Sequence, residues 1–148
     1  MQHRITTDYG RAVGGFIVGG GYGVKADITA AVDALAELLA PHVPHGITRR
    51  CNAHGESGGA FYDAGGWTSA YGLGCTSTHH LYPGRIVYYA GFTAPVSTDM
   101  NEVPADQRYT FPDDPLVHVW SPYFETPEEA LAWLMEHGRR HCPDLEGT

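Results

Sequence analysis

Two stretches of the chain repeat their apolar residues at helical spacing, and several shorter ones alternate as strands do. In the first, Ile28, Val32, Leu35 and Leu39 stand at i, i+4, i+7 and i+11, and Ala31 and Leu38 widen the stripe. Asp27 is a suitable cap, and Pro41 and Pro44 stop the run, so the spacing predicts a helix over 27–40. The second opens with Thr126-Pro127-Glu128-Glu129, which puts threonine at the N-cap, proline at the first helical position and glutamate at the third. Ala130, Leu131, Trp133, Leu134 and Met135 follow, and Gly138 stands where a C′ glycine would. Arg139, Arg140 and His141 then meet the negative helix end, so a helix over 126–138 is expected.

Period-two segments fill the space around these helices. Ile5, Thr7 and Tyr9 alternate with polar residues, and Gly10-Arg11 would turn them into a second strand at Val13–Val18. Trp67, Ser69, Tyr71 and Leu73 share one face of a strand, with Ala60–Asp63 as its partner. Arg85–Phe92 is rich in strand formers, and Leu116–Ser121 puts Leu116, His118 and Trp120 on one face. Residues 41–58 read as irregular and polar. Residues 93–115, with Pro95, Pro104, Pro112 and Pro115, read as one long loop. The order β-β-α-β-β-β-β-α makes residues 1–148 a single α+β domain: a largely antiparallel sheet with two helices packed on one face.

Composition narrows this little. With 148 residues and 43% apolar content the chain can build a core, and 19 glycines and 10 prolines make it loop-rich. No apolar run approaches the ~18 residues of a membrane helix. The polar start MQHRITTDYGR lacks the apolar stretch of a signal peptide, so a cytoplasmic protein is expected. Cys51, Cys75 and Cys142 are an odd set, read as free thiols.

Charge changes the picture more. The net charge of −8 opposes nucleic acid and anionic membrane as partners. It is also concentrated: residues 95–136 hold nine acids against the single base Arg108, and the remainder is neutral. Such a segment is either a solvated loop followed by an acid-rich helix start, or a surface that meets a basic protein.

Four groups of residues bear on chemistry. His42, His45, Cys51 and His54 fall within a short irregular stretch and are of zinc-ligand type, and His79-His80 with Cys75 is a weaker version. Paired Cys-x-x-Cys arms are absent and Pro44-His45-Gly46 suits a turn, so no metal is expected. Gly55-Glu56-Ser57-Gly58-Gly59 satisfies G-x-S-x-G, but a nucleophile elbow needs a strand before it and a helix after it. A turn is the better reading there. The glycine loop 19–23 precedes a helix, yet Lys25 is followed by Ala26 and the spacing is not that of a phosphate loop. Tyr62, Trp67, Tyr71, Tyr82, Tyr88, Tyr89, Trp120, Tyr123 and Phe124 are strand-spaced aromatics, suited either to the core or to a binding face.

Ala31-Val32-Asp33-Ala34-Leu35, Val87-Tyr88-Tyr89, Glu102-Val103-Pro104 and Ala130–Met135 occur in that order. The layout resembles small immunity proteins of bacterial polymorphic toxin systems, of the type paired with deaminase-like toxins. That resemblance implies a small inhibitory protein that occludes its partner. Taken with the charge, the expectation is a non-enzymatic binding protein without a cofactor. It would dock a basic protein partner through Asp99, Glu102, Asp106, Asp113 and Asp114, with Tyr123 or Phe124 as apolar anchor. The alternative is a small enzyme or ligand-binding protein using the glycine-rich 19–23 and His/Cys-rich 42–59 loops.

Overall fold

In the computed structural model, which describes residues 5–8, 26–44, 46–51, 57–63, 70–79, 81–142 and 145, seven strands form one sheet. They are β1 (Ile5–Asp8), β2 (Ile47–Cys51), β3 (Ser57–Asp63), β4 (Ala70–Thr76), β5 (Val87–Pro95), β6 (Arg108–Thr110) and β7 (Leu116–Trp120). Their spatial order is β1-β2-β3-β4-β5-β7-β6. The pair β1–β2 is parallel and every other pair is antiparallel. Two helices complete the described fold: α1 (Ala26–Leu39) over β2, β3 and β4, and α2 (Pro127–Gly138) over β4 and β5.

Both helices lie on the same face. Ile28, Ala31, Val32, Leu35, Ala36 and Leu39 bury the stripe of α1, and Ala130, Trp133 and Leu134 bury that of α2. They meet the residues of one pleat parity: Ala60 of β3, Tyr71, Leu73 and Cys75 of β4, Ala90, Phe92 and Ala94 of β5, and Val117 and Val119 of β7. Arg49 of β2 points to the same side, where its guanidinium donates to Asp33 of α1 at 2.5 Å. The fold is therefore the α+β arrangement that the periodicities predict.

The N-terminus of α2 carries the threonine N-cap that its sequence spells, with Glu129 reaching back to the Thr126 hydroxyl. Thr126 is extended (φ −127°, ψ 148°), and its hydroxyl accepts from the Glu129 amide at 3.3 Å and donates to the Glu129 carboxylate at 2.8 Å. At the other end the expectation changes. Gly138 is the last helical residue rather than a left-handed C′ residue. A Cβ there would stand 2.9 Å from Leu134 and 3.4 Å from Phe92, so its role is to let α2 approach the sheet.

Three further expectations are corrected. Residues 41–58 are not irregular throughout: β2 occupies Ile47–Cys51, and Ser57-Gly58-Gly59 open β3. Ser57 pairs with Thr76 in a ladder, so the strand–turn–helix geometry of a nucleophile elbow is absent at this serine. The 93–115 loop is interrupted, because β5 runs on to Pro95 and a short helical turn at Ala105–Gln107 leads into β6. Met100 and Val103 are buried and anchor that segment to the core. Finally, α1 begins at Ala26, so Asp27 stands inside its first turn rather than before it. The strand at Val13–Val18, the glycine loop 19–23 and Trp67 lie outside the described residues.

Candidate functional site

The sheet face opposite the helices is built from the other pleat parity: Arg50, Gly59, Phe61, Gly72, Gly74, Tyr89, Gly91, His118 and Trp120. Its registers hold one repeated motif. Phe61 stands across from Gly72, Tyr89 across from Gly74, and Trp120 across from Gly91. Each ring has a neighbour with no side chain to hold it upright. A Cβ on Gly72 or Gly74 would run into the Phe61 or Tyr89 ring, and one on Gly91 would lie 3.5 Å from the Trp120 ring. The glycines thus let three aromatic side chains spread over the sheet.

Strand ends bring more rings to this face. Beyond β7 the chain stays paired to β5: Ser121 Oγ accepts from the Ala90 amide at 2.8 Å and donates to the Pro122 carbonyl at 2.7 Å. Phe124 and Tyr88 exchange backbone hydrogen bonds at 2.7 and 2.8 Å. This alternation sends Phe124 toward the core and Tyr123 to the uncovered face. There the Tyr123 ring lies 5.6 Å from Tyr89 and 4.4 Å from His79, and Tyr89 lies 5.9 Å from Trp120. On the β6 side, Tyr109 pairs across to His118, and its hydroxyl donates to the Asp106 carbonyl at 2.8 Å.

The turn after β6 is held from within. Asp113 has a left-handed backbone (φ 64°), which aspartate tolerates better than most residues. The Asp114 carboxylate accepts from the Leu116 amide at 2.9 Å and pairs with His118 Nε2 at 2.7 Å. The bond to His118, then that to Leu116, holds Asp114 below the usual carboxylate range. The turn sets Phe111 edge-on to His118, with centroids 5.2 Å apart.

Two concavities result. One, of about 180 Å³, lies over Gly72 and Gly91 between Phe61, Tyr89 and Trp120, with Arg50 and His118 also lining it. The other, of about 560 Å³, lies between the β6 edge and the 121–123 arm. Tyr109, Phe111, Trp120 and Tyr123 are 45, 56, 43 and 41% exposed, so four large aromatic side chains face solvent on this side of the sheet. A patch of that kind marks an interaction surface more often than a lone exposed ring does. Burial first, then the neighbouring Tyr123 and Cys75, pushes the Tyr89 phenol up to about 12, so it stays neutral at physiological pH.

The expected site residues do not form one cluster. Asp106 and Tyr123 line the larger concavity, and Asp113 is exposed in the adjoining turn. Asp114 is engaged with His118 inside that turn. Asp99 and Glu102 belong elsewhere. Asp99 accepts from the Asn101 amide at 3.0 Å, and Glu102 meets His141 at 3.1 Å and Arg140 at 4.0 Å beyond the end of α2. Phe124 packs against the core, whereas Trp120 and Phe111 are exposed where an anchor is needed. Tyr109 and Phe111 had a legible signal, an aromatic alternation continuing at 118 and 120, but its meaning depended on recognising β6.

Of the zinc-type quartet, His45 and His54 lie outside the described residues. Among the described residues no group of three or more metal-ligating side chains converges. Burial, and then the Asp33 charge, pushes the Cys51 thiol up to about 11, away from the thiolate a nucleophile uses. Cys75 is fully buried on the helix side of the sheet. No described helix is long and apolar enough to cross a membrane. No family model matches the sequence, and comparison with the curated proteins and with solved structures returns no match.

Proposed function

We propose that this chain is a binding protein that docks a basic protein partner on the uncovered sheet face, acting by occlusion as an immunity-type inhibitor does. The supporting observation is the exposed set Tyr109, Phe111, Trp120 and Tyr123, gathered on one face by β6, β7 and the 121–123 arm. Aromatic side chains are the usual centre of a protein interface, because they bury much area at little cost in rotamer freedom. Asp106 and Asp113 adjoin them, within the chain segment that holds the whole net charge of −8. Such a surface attracts a partner of opposite charge and holds it by apolar contact. The resemblance of the sequence to toxin-system immunity proteins agrees with this role in a bacterial cytoplasm.

The test is site-directed photo-crosslinking in the native host. A photoreactive phenylalanine at Tyr123 should link a protein of basic isoelectric point. The same group at Ala132, exposed on α2 on the far side of the sheet, should not. Equal labelling from both positions, or an acidic partner at Tyr123, would overturn the proposal.

A further inference from the structure

The chemistry of the larger concavity on the uncovered face is more specific than an apolar patch. Its walls include Tyr89, Tyr109, Phe111, Trp120 and Tyr123, and Asp106 is the charged residue among those that line it. Among the described residues no lysine, arginine or histidine shares the lining. Aromatic faces carry negative electrostatic potential, and tryptophan the strongest, so rings converging around a space stabilise a cation held among them. A carboxylate at the rim adds a charge-assisted hydrogen bond for a donor that enters. An anion would be repelled by the carboxylate, and a neutral apolar group would gain nothing from it.

The rings are also held in place before anything binds. Tyr89 lies over Gly74, Trp120 stands opposite Gly91, and the backbone exchange between Tyr88 and Phe124 fixes the arm that carries Tyr123. Tyr109 is tied to Asp106 through its hydroxyl. A site already arranged spends less of its interaction energy on ordering its own side chains.

We propose that this concavity is a receptor for an organic cation, and that the cation it takes is an arginine side chain of the protein partner. A planar guanidinium stacks on aromatic faces and still presents N–H donors to a carboxylate, which a compact, strongly hydrated ammonium does less well. The inference rests on the protein-binding role argued above and adds its recognition chemistry: the anchor inserted at the centre of the interface is cationic and comes from the partner.

The experiment uses the whole chain and two capped tripeptides, acetyl-Gly-Arg-Gly-amide and its citrulline counterpart, which has nearly the same shape without the charge. Binding is read from the indole N–H resonance of Trp120 in two-dimensional NMR, assigned with Trp120→Phe. The arginine peptide should shift this resonance in a saturable way, and the citrulline peptide should bind about tenfold more weakly, as loss of the cation–aromatic and ion-pair terms requires. Asp106→Asn removes an exposed charge, so its spectrum should otherwise match the parent. It should weaken the arginine peptide several-fold and the citrulline peptide markedly less, because citrulline loses a hydrogen bond but no ion pair. Phe111→Ala should weaken the arginine peptide as well. Equal binding of the two peptides, no shift of Trp120 by either, or indifference of the arginine peptide to Asp106→Asn would each overturn the proposal. Any of these beside a basic partner crosslinked at Tyr123 would leave the docking face standing and remove only its cationic anchor. Arginine selectivity without a crosslinked protein would do the reverse.

Discussion

The aromatic–glycine pairs make a sharp prediction, because Gly74 and Gly91 occupy equivalent positions with different clearances. A methyl group on Gly74 would run into the Tyr89 ring, whereas on Gly91 its nearest neighbours are the Val119 carbonyl at 3.1 Å and the Trp120 ring at 3.5 Å. Replacing a strand glycine by alanine normally recovers about 0.5–1 kcal/mol of backbone entropy. Overpacking costs about 1–3 kcal/mol where a large side chain must leave its place. At Gly74 the second effect wins, and a net loss of about 0.5–2 kcal/mol is expected. At Gly91 the two effects nearly cancel. A chain of this size loses roughly 2–4 °C in Tm per kcal/mol. Gly74→Ala should therefore melt about 1–8 °C lower than the parent, with Gly91→Ala within about 1 °C of it. Tyr89 provides an independent readout. Its phenol, pushed up to about 12 chiefly by burial, should titrate closer to the ordinary value near 10 once the ring is displaced. Calorimetry and pH titration of the tyrosine ring signals measure both quantities. If Gly74→Ala is as stable as Gly91→Ala and Tyr89 titrates unchanged, the rings do not lie over the glycines as described.

Three other outcomes follow from the fold. Leu35 and Leu134 are fully buried in the helix-side core, so each change to alanine should cost about 2–5 kcal/mol in a denaturant melt. Thr126→Ala removes the hydroxyl that caps α2 and should cost about 0.5–2 kcal/mol, with Thr126→Ser recovering most of it. Asp114 and Glu102 both lie below their ordinary values, Asp114 chiefly through His118, and Glu102 through its own backbone and then His141. Their ionised forms therefore favour the native state. That contribution is complete above the ordinary values of roughly 3.9 and 4.3 and fades as pH falls through the lower folded ones. Asp114→Asn with Glu102→Gln should flatten the loss of stability below about pH 4, and an unchanged acid limb would contradict the assignment.

What was legible in the sequence, and what was not, follows from how local each signal is. The capping box at Thr126–Glu129 and the stripe of α1 are written within a few turns of chain, and both helices are found where those signals lie. β2 escaped because Thr48, Arg49 and Arg50 look like loop, although Arg49 is held by Asp33, sixteen residues away. Ser57-Gly58-Gly59 look like a turn until the register shows that Gly58 lets β3 lie close under Val32 of α1. β6 is three residues long and is defined by pairing with β7 rather than by its own pattern. The uncovered face was hidden for the same reason. Phe61 and Gly72, Tyr89 and Gly74, Trp120 and Gly91 become partners only when the strands are aligned. The acidic segment was plain to see, but its division between the helix end at Glu102 and the aromatic face at Asp106 and Asp113 depends on where Met100 and Val103 enter the core.

The central claim is that the aromatic face meets a basic partner under electrostatic attraction. It is tested most directly by stopped-flow association with the protein crosslinked at Tyr123, for the parent chain and for Asp106→Lys with Asp113→Lys, from low salt to about 0.5 M. Asp114 is left intact because its carboxylate holds the turn. The account predicts a parent on-rate that falls as salt rises, and a doubly reversed variant several-fold slower at low salt. The two on-rates should converge once the Debye length drops well below about 8 Å. Parent and variant rates that coincide at every ionic strength, with no dependence on salt, would contradict it.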